Sequence, residues 1–172
     1  DAAETLPTKL LDMGQDCDAI LLIAPETGNR LKTVCEWLAP LAKQLISPDL
    51  SFVSLTSDKH RTCEWLSARG VPVPSGYLLS EVSRLDRGTV GRFPMVLKPV
   101  DGAGSEHVRL VHSFDELAQV EISDNLRIEE FIEGRPLSVS MLSNGERSQL
   151  LPATQQISDA EPWGNYVTAF HP

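Results

Sequence analysis

Apolar positions along this chain change period several times, and each change predicts an element. The run Asp18-Ala-Ile-Leu-Leu-Ile-Ala is apolar without interruption over the length of a strand, the pattern of a strand covered on both faces. Pro25-Glu-Thr-Gly-Asn then turns the chain. Leu31, Val34, Cys35, Leu38, Leu41, Ala42 and Leu45 follow at helical spacing, which predicts one amphipathic helix. Pro40 lies inside that pattern, where its missing N–H should kink or divide the helix. Phe52-Val-Ser-Leu reads as a second short strand. This opening resembles the end of a βαβ layer, too small to stand as a complete nucleotide-binding domain.

Ser57 suits an N-cap for a helix over 58–69, and Gly70 is placed to end it. Val71-Pro-Val-Pro enforces extended backbone. Residues 81–92 are polar and weakly patterned, a short helix or loop. Strands are predicted over 95–100 and 107–111, flanking a glycine segment. Ser113 with Glu116 has the spacing of a capping box for a helix to about Val120. Another strand is expected over 126–132. Leu137, Val139 and Met141 alternate with Ser138 and Ser140, the period of a half-buried strand. Asn144-Gly145 is a hairpin signal that returns the chain through Leu150. Residues 157–172, rich in Pro, Gly and aromatics, look unfinished, and a first residue of Asp hints that the true beginning is missing.

Composition narrows the class. With 172 residues, 41% apolar and 23% charged, the chain can hold one good core or parts of two small ones. No apolar run approaches the roughly 18 residues of a membrane span, and no signal peptide is visible. The net charge of −9 argues against a nucleic-acid surface. It leaves room for a nucleotide, which needs only a few local cations and N–H groups. Cys17, Cys35 and Cys63 are odd in number and widely spaced, and two fall on apolar helical faces, as buried free thiols do. A reducing cytoplasm is the natural location. His60, His107, His112 and His171 do not cluster at ligand spacing and read as surface or turn residues. Trp37, Trp65 and Trp163 are too scattered for a binding stripe.

The chemistry concentrates around Lys98. The segment Phe93-Pro-Met-Val-Leu-Lys-Pro-Val carries that lysine to the mouth of Asp101-Gly-Ala-Gly-Ser-Glu. Glycines there free the backbone so that successive N–H groups can turn toward an anion. Because the lysine precedes the glycines, the order excludes a P-loop. Taken alone, a lysine at a strand end before a glycine hairpin is ordinary turn chemistry.

Two further segments change that weighing: Ser57-Asp-Lys59-His-Arg-Thr and Arg127-Ile-Glu-Glu-Phe-Ile-Glu-Gly134. With Lys98 between them, the series closely resembles the ATP-grasp ligases over roughly 18–156. Ile23-Ala-Pro-Glu26, Gly134-Arg-Pro-Leu-Ser-Val-Ser140 and Ala153-Thr-Gln-Gln156 look most like the carboxylate–amine ligase branch, which includes tyramine–glutamate ligase and the pyrrolysine-biosynthesis ligase. The resemblance implies an α+β, α/β chain: an ATP-grasp fold fragment preceded by the end of a Rossmann-like layer. Its parts would be 1–56 (the preceding layer), 57–132 (the small, lid subdomain) and 133–172 (the start of the second subdomain).

Site roles follow from the same resemblance. Lys59 would reach the ATP phosphates from a helix start, and Lys98 the α and β phosphates from its strand. Gly102, Ala103, Gly104 and Ser105 would offer N–H groups to the outer phosphates. Glu129, Glu130, Phe131 and Ile132 would form the hinge whose backbone reads the adenine edge, with their side chains mattering less. Strand alternation puts Glu129 and Glu130 on opposite faces, which disfavours an acid/base couple. Pro136 stands near the family's usual ribose acid, leaving Glu133 as a candidate. No residue after Gly145 fits the family's Mg2+ ligands, so those are expected beyond the end of this chain, and the portion at hand is expected to bind ATP weakly and catalyse nothing. No catalytic residue is assigned. The partners implied are a small-molecule carboxylate and an amine, of unnamed identity, with no nucleic acid, no membrane and an open oligomeric state. Two rival readings stand beside this one: a nucleotide-binding or regulatory module without catalysis, and a structural α/β interaction domain whose glycine segment is an ordinary hairpin.

Overall fold

Helix α1 (Leu6–Gln15) opens the chain in a computed structural model, which describes residues 5–82, 92–102 and 104–155. The apolar pattern did not predict this helix. Gly14 lets it pack closely, because a Cβ there would come within 2.5 Å of Leu41 Cδ1. Strand β1 (Ile20–Leu21) pairs in parallel with β2 (Leu45–Ile46), and helix α2 (Arg30–Trp37) lies between them in the sequence. A βαβ layer is therefore present, but three details differ from expectation. β1 has one strand neighbour among the described residues, and Leu21 and Ile23 are exposed rather than covered. Pro40 divides the long helix, starting a 3-10 turn at Ala39–Leu41. Leu45 leaves the helix and joins β2.

The expected strand over 52–55 is helix α3 (Leu50–Thr56). Asp49 caps it, its carboxylate accepting from the Phe52 N–H at 2.9 Å, and only Val53 of its apolar residues is buried. One covered position in two turns suits a helix resting on one face, which a four-residue apolar run cannot reveal. Helix α4 (Lys59–Ser67) comes next, capped by Asp58, whose side chain accepts from the Arg61 N–H at 2.9 Å. Ser57 is thus not the cap. Its hydroxyl is buried and finds no hydrogen-bond partner among the described residues. Gly70 stands three residues past the helix with φ +74, the left-handed stop expected of it.

A four-stranded antiparallel sheet organises the middle of the chain. Strand β3 (Gly76–Leu78) runs straight into the short helix α5 (Leu79–Val82), and residues 83–91 of the expected 81–92 loop lie outside the described residues. Strands β4 (Met95–Pro99) and β5 (Arg109–Val111) flank the glycine segment as predicted. Helix α6 (Phe114–Leu117) is capped by the Ser113 hydroxyl, while Glu116 accepts from the His112 N–H at 2.7 Å. Strand β6 (Leu126–Glu130) completes the sheet in the order β3-β6-β4-β5.

The two faces of this sheet have opposite chemistry. Met95, Leu97, Val111 and Ile128 are buried on one face, where they form the core with Leu79 and Leu117. Phe93 and Phe114 close its margin edge to face, with ring centroids 5.0 Å apart. The pairings Val96↔Glu129 and Lys98↔Arg127 put the alternate residues on the other face. Leu-Arg-Ile-Glu in β6 thus encodes one apolar and one charged face in its period of two, and β4 adds Val96 and Lys98 to the charged face.

Beyond β6 the chain forms β7 (Leu137–Ser138), β8 (Met141–Ser143), β9 (Ser148–Leu150) and β10 (Thr154–Gln155). β8 and β9 make the predicted hairpin around Asn144-Gly145, and β10 pairs with β7. The expected half-burial fails here: Leu137, Val139 and Met141 are all more than half exposed, because no second layer covers them among the described residues. Residues 156–172, with His171 and Trp163, lie outside the description. Cys17 is exposed, Cys35 buried and Cys63 intermediate, all three unbridged. No described helix is long and apolar enough to cross a membrane.

Candidate functional site

The charged face of the sheet forms the floor of a cleft of about 440 Å³. Lys98 reaches it from β4. Strand alternation forces this, since Leu97 and Pro99 take the other side. Lys59 enters from the first turn of α4, where the Asp58 cap fixes the helix start. Gly102, Gly104 and Ser105 line the same cleft, as do Glu129, Glu130, Phe131 and Ile132. Of the residues assigned to the nucleotide site from the sequence, Ala103 alone lies outside the described residues. Pro74, Val96, Val108, Arg109 and Leu110 also line the cleft. The sequence did not single them out, although the alternation that points Lys98 inward also points Val96 inward.

Lys59 is held at one end by Val100 and at the other by the glycine segment that follows it. Its backbone N–H donates to Val100 O at 2.7 Å, and its ammonium donates to Gly102 O at 2.7 Å. Burial pushes this ammonium below the usual lysine range. Glu26, Asp101 and Asp58 oppose that shift, and the positive charge of Lys98 adds to it. Two ammonium groups that sense each other in a partly desolvated pocket favour an arriving polyanion.

The glycine segment has the backbone such a ligand needs. Gly102 has φ +94 and Gly104 φ +72, with open space around Gly104. Ser105 and His107 also adopt left-handed backbone, at φ 59 and 58. Turns of this type aim successive N–H groups into a concavity that suits phosphate oxygens. Asp101 anchors the segment from behind. Its carboxylate accepts from the Gly28 N–H at 2.9 Å and from Asn125 Nδ2 at 3.2 Å. The Gly28 bond is the main reason its pKa lies below the ordinary carboxyl value.

Glu129 and Glu130 part company as alternation predicts. Glu130 accepts from the Ser75 N–H at 3.2 Å. Glu129 is 5% exposed and joins two cations, the Lys98 ammonium on Oε1 and Arg127 Nε on Oε2, the latter at 2.9 Å. Its side chain is thus tied into a buried ion-pair network. His60 corrects another expectation. It is no free surface residue, since its Nδ1 lies 2.7 Å from Arg127 Nη1 and its side chain is 12% exposed. Glu133 is exposed and absent from the cleft lining. Among the described residues no three His, Cys, Asp or Glu side chains come together to hold a metal ion.

Lys59, Lys98, Gly102 and Gly104 share the cleft lining with the apolar side chains of Val96, Leu110, Phe131 and Ile132. Residues 56–169, more than half of the chain, match the family model of the ATP-grasp domain. The chain belongs to the ATP-grasp family. It is 34% identical over 149 residues to a carbamoyl-phosphate synthase from Methanobrevibacter smithii, covering 84% of this chain and 40% of that protein. It is 23% identical over 151 residues to the 3-methyl-D-ornithine–L-lysine ligase of Methanosarcina acetivorans, covering 86% of this chain and 36% of the ligase. The chain thus spans well under half the length of either relative. Its fold matches the biotin carboxylase domain of Hydrogenobacter thermophilus 2-oxoglutarate carboxylase, solved with MgADP, ADP and bicarbonate. The TM-score is 0.69 at 19% identity, over 89% of this chain and 38% of that one.

Within this ATP-grasp chain, Arg127 and Gly76 are the site-supporting residues that sequence reading missed. Arg127 is 2% exposed. Gly76 lies opposite Glu129, and a Cβ there would come 2.6 Å from Glu129 Cβ and 2.7 Å from Arg127 Nη2. A signal was available for the arginine: an Arg alternating with Glu inside an otherwise apolar strand demands a buried partner.

Proposed function

We propose that the cleft binds ATP and that the protein is an ATP-dependent carboxylate–amine ligase of the amino-acid type. The observation that carries this reading is the meeting of Lys59, Lys98, the glycine segment and 129–132 around one cleft. The name of the Methanosarcina relative, which joins two amino acids, supports the substrate class. In the division of labour proposed, 57–132 is the nucleotide-holding lid, 1–56 the layer before it, and 133–172 the start of the second subdomain. Lys98 takes the inner phosphates and Lys59 the outer ones, with N–H groups of 102–105 completing the cradle. The backbone of 129–132, where β6 ends, reads the base, and Phe131 and Ile132 cover it.

In the reaction proposed, a carboxylate oxygen attacks the γ-phosphorus and the bond to the β-phosphate oxygen breaks. ADP leaves and an acyl phosphate remains. An amine then attacks the acyl carbon, phosphate departs, and the amine loses a proton as the amide forms. The substrate is its own nucleophile, so positioning and charge neutralisation carry the rate. That accords with a site built from cations and N–H groups.

Titration calorimetry with Mg-ATP tests the reading. Binding that weakens at least ~10-fold in Lys98→Ala, the scale of losing a charge-assisted contact, is the expected result. Unchanged affinity in that variant removes the central assignment. Binding without phosphate release by the longer protein that also carries the metal ligands, when amino acids are supplied, leaves a nucleotide-binding module and rejects the ligase half.

A further inference from the structure

Arg127 does not line the cleft, yet it is the most deeply buried charged side chain among the described residues. We propose that Arg127 is a positioning residue for Lys98: it holds the Glu129 carboxylate so that the Lys98 ammonium can leave it for an anion. This inference rests on the cleft being a nucleotide site.

The geometry has three parts. Glu129 divides its two oxygens between Lys98 and Arg127. Were Lys98 its only cation, turning that ammonium toward a phosphate would strand an ionised carboxylate that is 5% exposed, a strongly unfavourable state. With Arg127 in place the carboxylate keeps a charge partner throughout. Arg127 itself cannot follow Lys98. Its Nη2 donates to Pro74 O at 3.0 Å and its Nη1 reaches His60 Nδ1 at 2.7 Å. A guanidinium has no lone pair to offer, so His60 Nδ1 must be the acceptor. Three partners in three directions call for the planar fork of an arginine, which an ammonium cannot replace. His60 adjoins Lys59 on α4, so one helix start supplies both a cleft cation and the buttress behind the other.

The test compares Mg-ATP dissociation constants by calorimetry for the wild type, Arg127→Met, and the double variant Arg127→Met with Glu129→Gln. The single variant should bind at least ~10-fold more weakly, because an unshared Glu129 retains Lys98. The double variant should recover most of that loss, since a neutral amide in place of the carboxylate has no charge with which to hold the ammonium. A purely structural role for Arg127 predicts a double variant no tighter than the single one, and that result overturns the proposal. If the wild type binds Mg-ATP and Arg127→Met binds equally well, the proposal falls alone. If the wild type binds none, the nucleotide reading itself falls first. A measurement on the wild type guards against misfolding of the variants. The Glu129 carboxyl carbon, followed by NMR, should keep the chemical shift of an ionised carboxylate from the free state to Mg-ATP saturation. Protonation on binding refutes the role given to Arg127.

Discussion

Replacing Gly76 with alanine adds one methyl group where β3 crosses the buried charge pair of β6. The new Cβ would meet Glu129 Cβ and Ile128 O at 2.6 Å and Arg127 Nη2 at 2.7 Å. Ordinary contact begins at 3.4 Å, so something must yield by about 0.8 Å. The Ile128 carbonyl belongs to the sheet backbone and cannot turn aside by changing a rotamer. The strand pair must therefore spread, and Arg127 Nη2, 2.7 Å from the new Cβ, must shift and give up Pro74 O. Overpacking of this kind costs about 1–3 kcal/mol, and a lost hydrogen bond from a charged donor adds about 1.5–3 kcal/mol. Their sum, about 2.5–6 kcal/mol, lowers Tm by roughly 5–24 °C in a chain of this length. Differential scanning calorimetry reads that shift. Gly70→Ala is the control, because Gly70 has φ +74 and open space around it. It carries only the left-handed backbone penalty of about 1 kcal/mol. Equal Tm losses in the two variants, or an unshifted Gly76→Ala, would refute the steric reasoning.

Two other variants probe the support of the site. Ile128 has no exposed surface and packs in the core with Met95, Leu97 and Val111. Ile128→Ala should therefore cost about 2–5 kcal/mol in a urea unfolding series, and a midpoint equal to wild type would contradict its central place. Asp101 has a pKa depressed below 3.8 by the Gly28 N–H, the Asn125 amide and the Lys59 charge. A depressed carboxyl stabilises the fold above its unfolded value and loses that contribution as pH falls through the folded value. The Tm gap between wild type and Asp101→Asn should accordingly stay constant near neutral pH and narrow below about 3.8. A gap that ignores pH would show that the carboxylate charge is not what ties Gly28 to the glycine segment.

Local signals were legible where one period held for a whole element. β6 alternates between apolar and charged residues over Leu126–Glu129, and the pleat of β4 and β6 delivers Lys98 and Glu129 to one face. The Gly70 stop, the Ser113 cap and the Asn144-Gly145 turn depend on backbone chemistry within a few residues. Short apolar runs were the failure. Phe52-Val-Ser-Leu satisfies a strand template, yet an Asp49 cap and a single buried valine make it a helix. Burial over 137–141 was also misjudged, since alternation shows which residues share a face and says nothing about whether a neighbour covers it.

Sequence by itself determined the parts: two lysines each at an element edge, a glycine segment with the freedom to turn, and a strand whose acids point opposite ways. These follow from dihedral preferences and side-chain periodicity, which are properties of adjacent residues. Tertiary structure decided the partnerships. Arg127 meets His60 across 67 positions and Pro74 across 53, and Gly76 is small because Glu129 and Arg127 leave it no room. Such contacts depend on which strands become neighbours and in what register, a choice set by burial of the whole core face and not by any single segment.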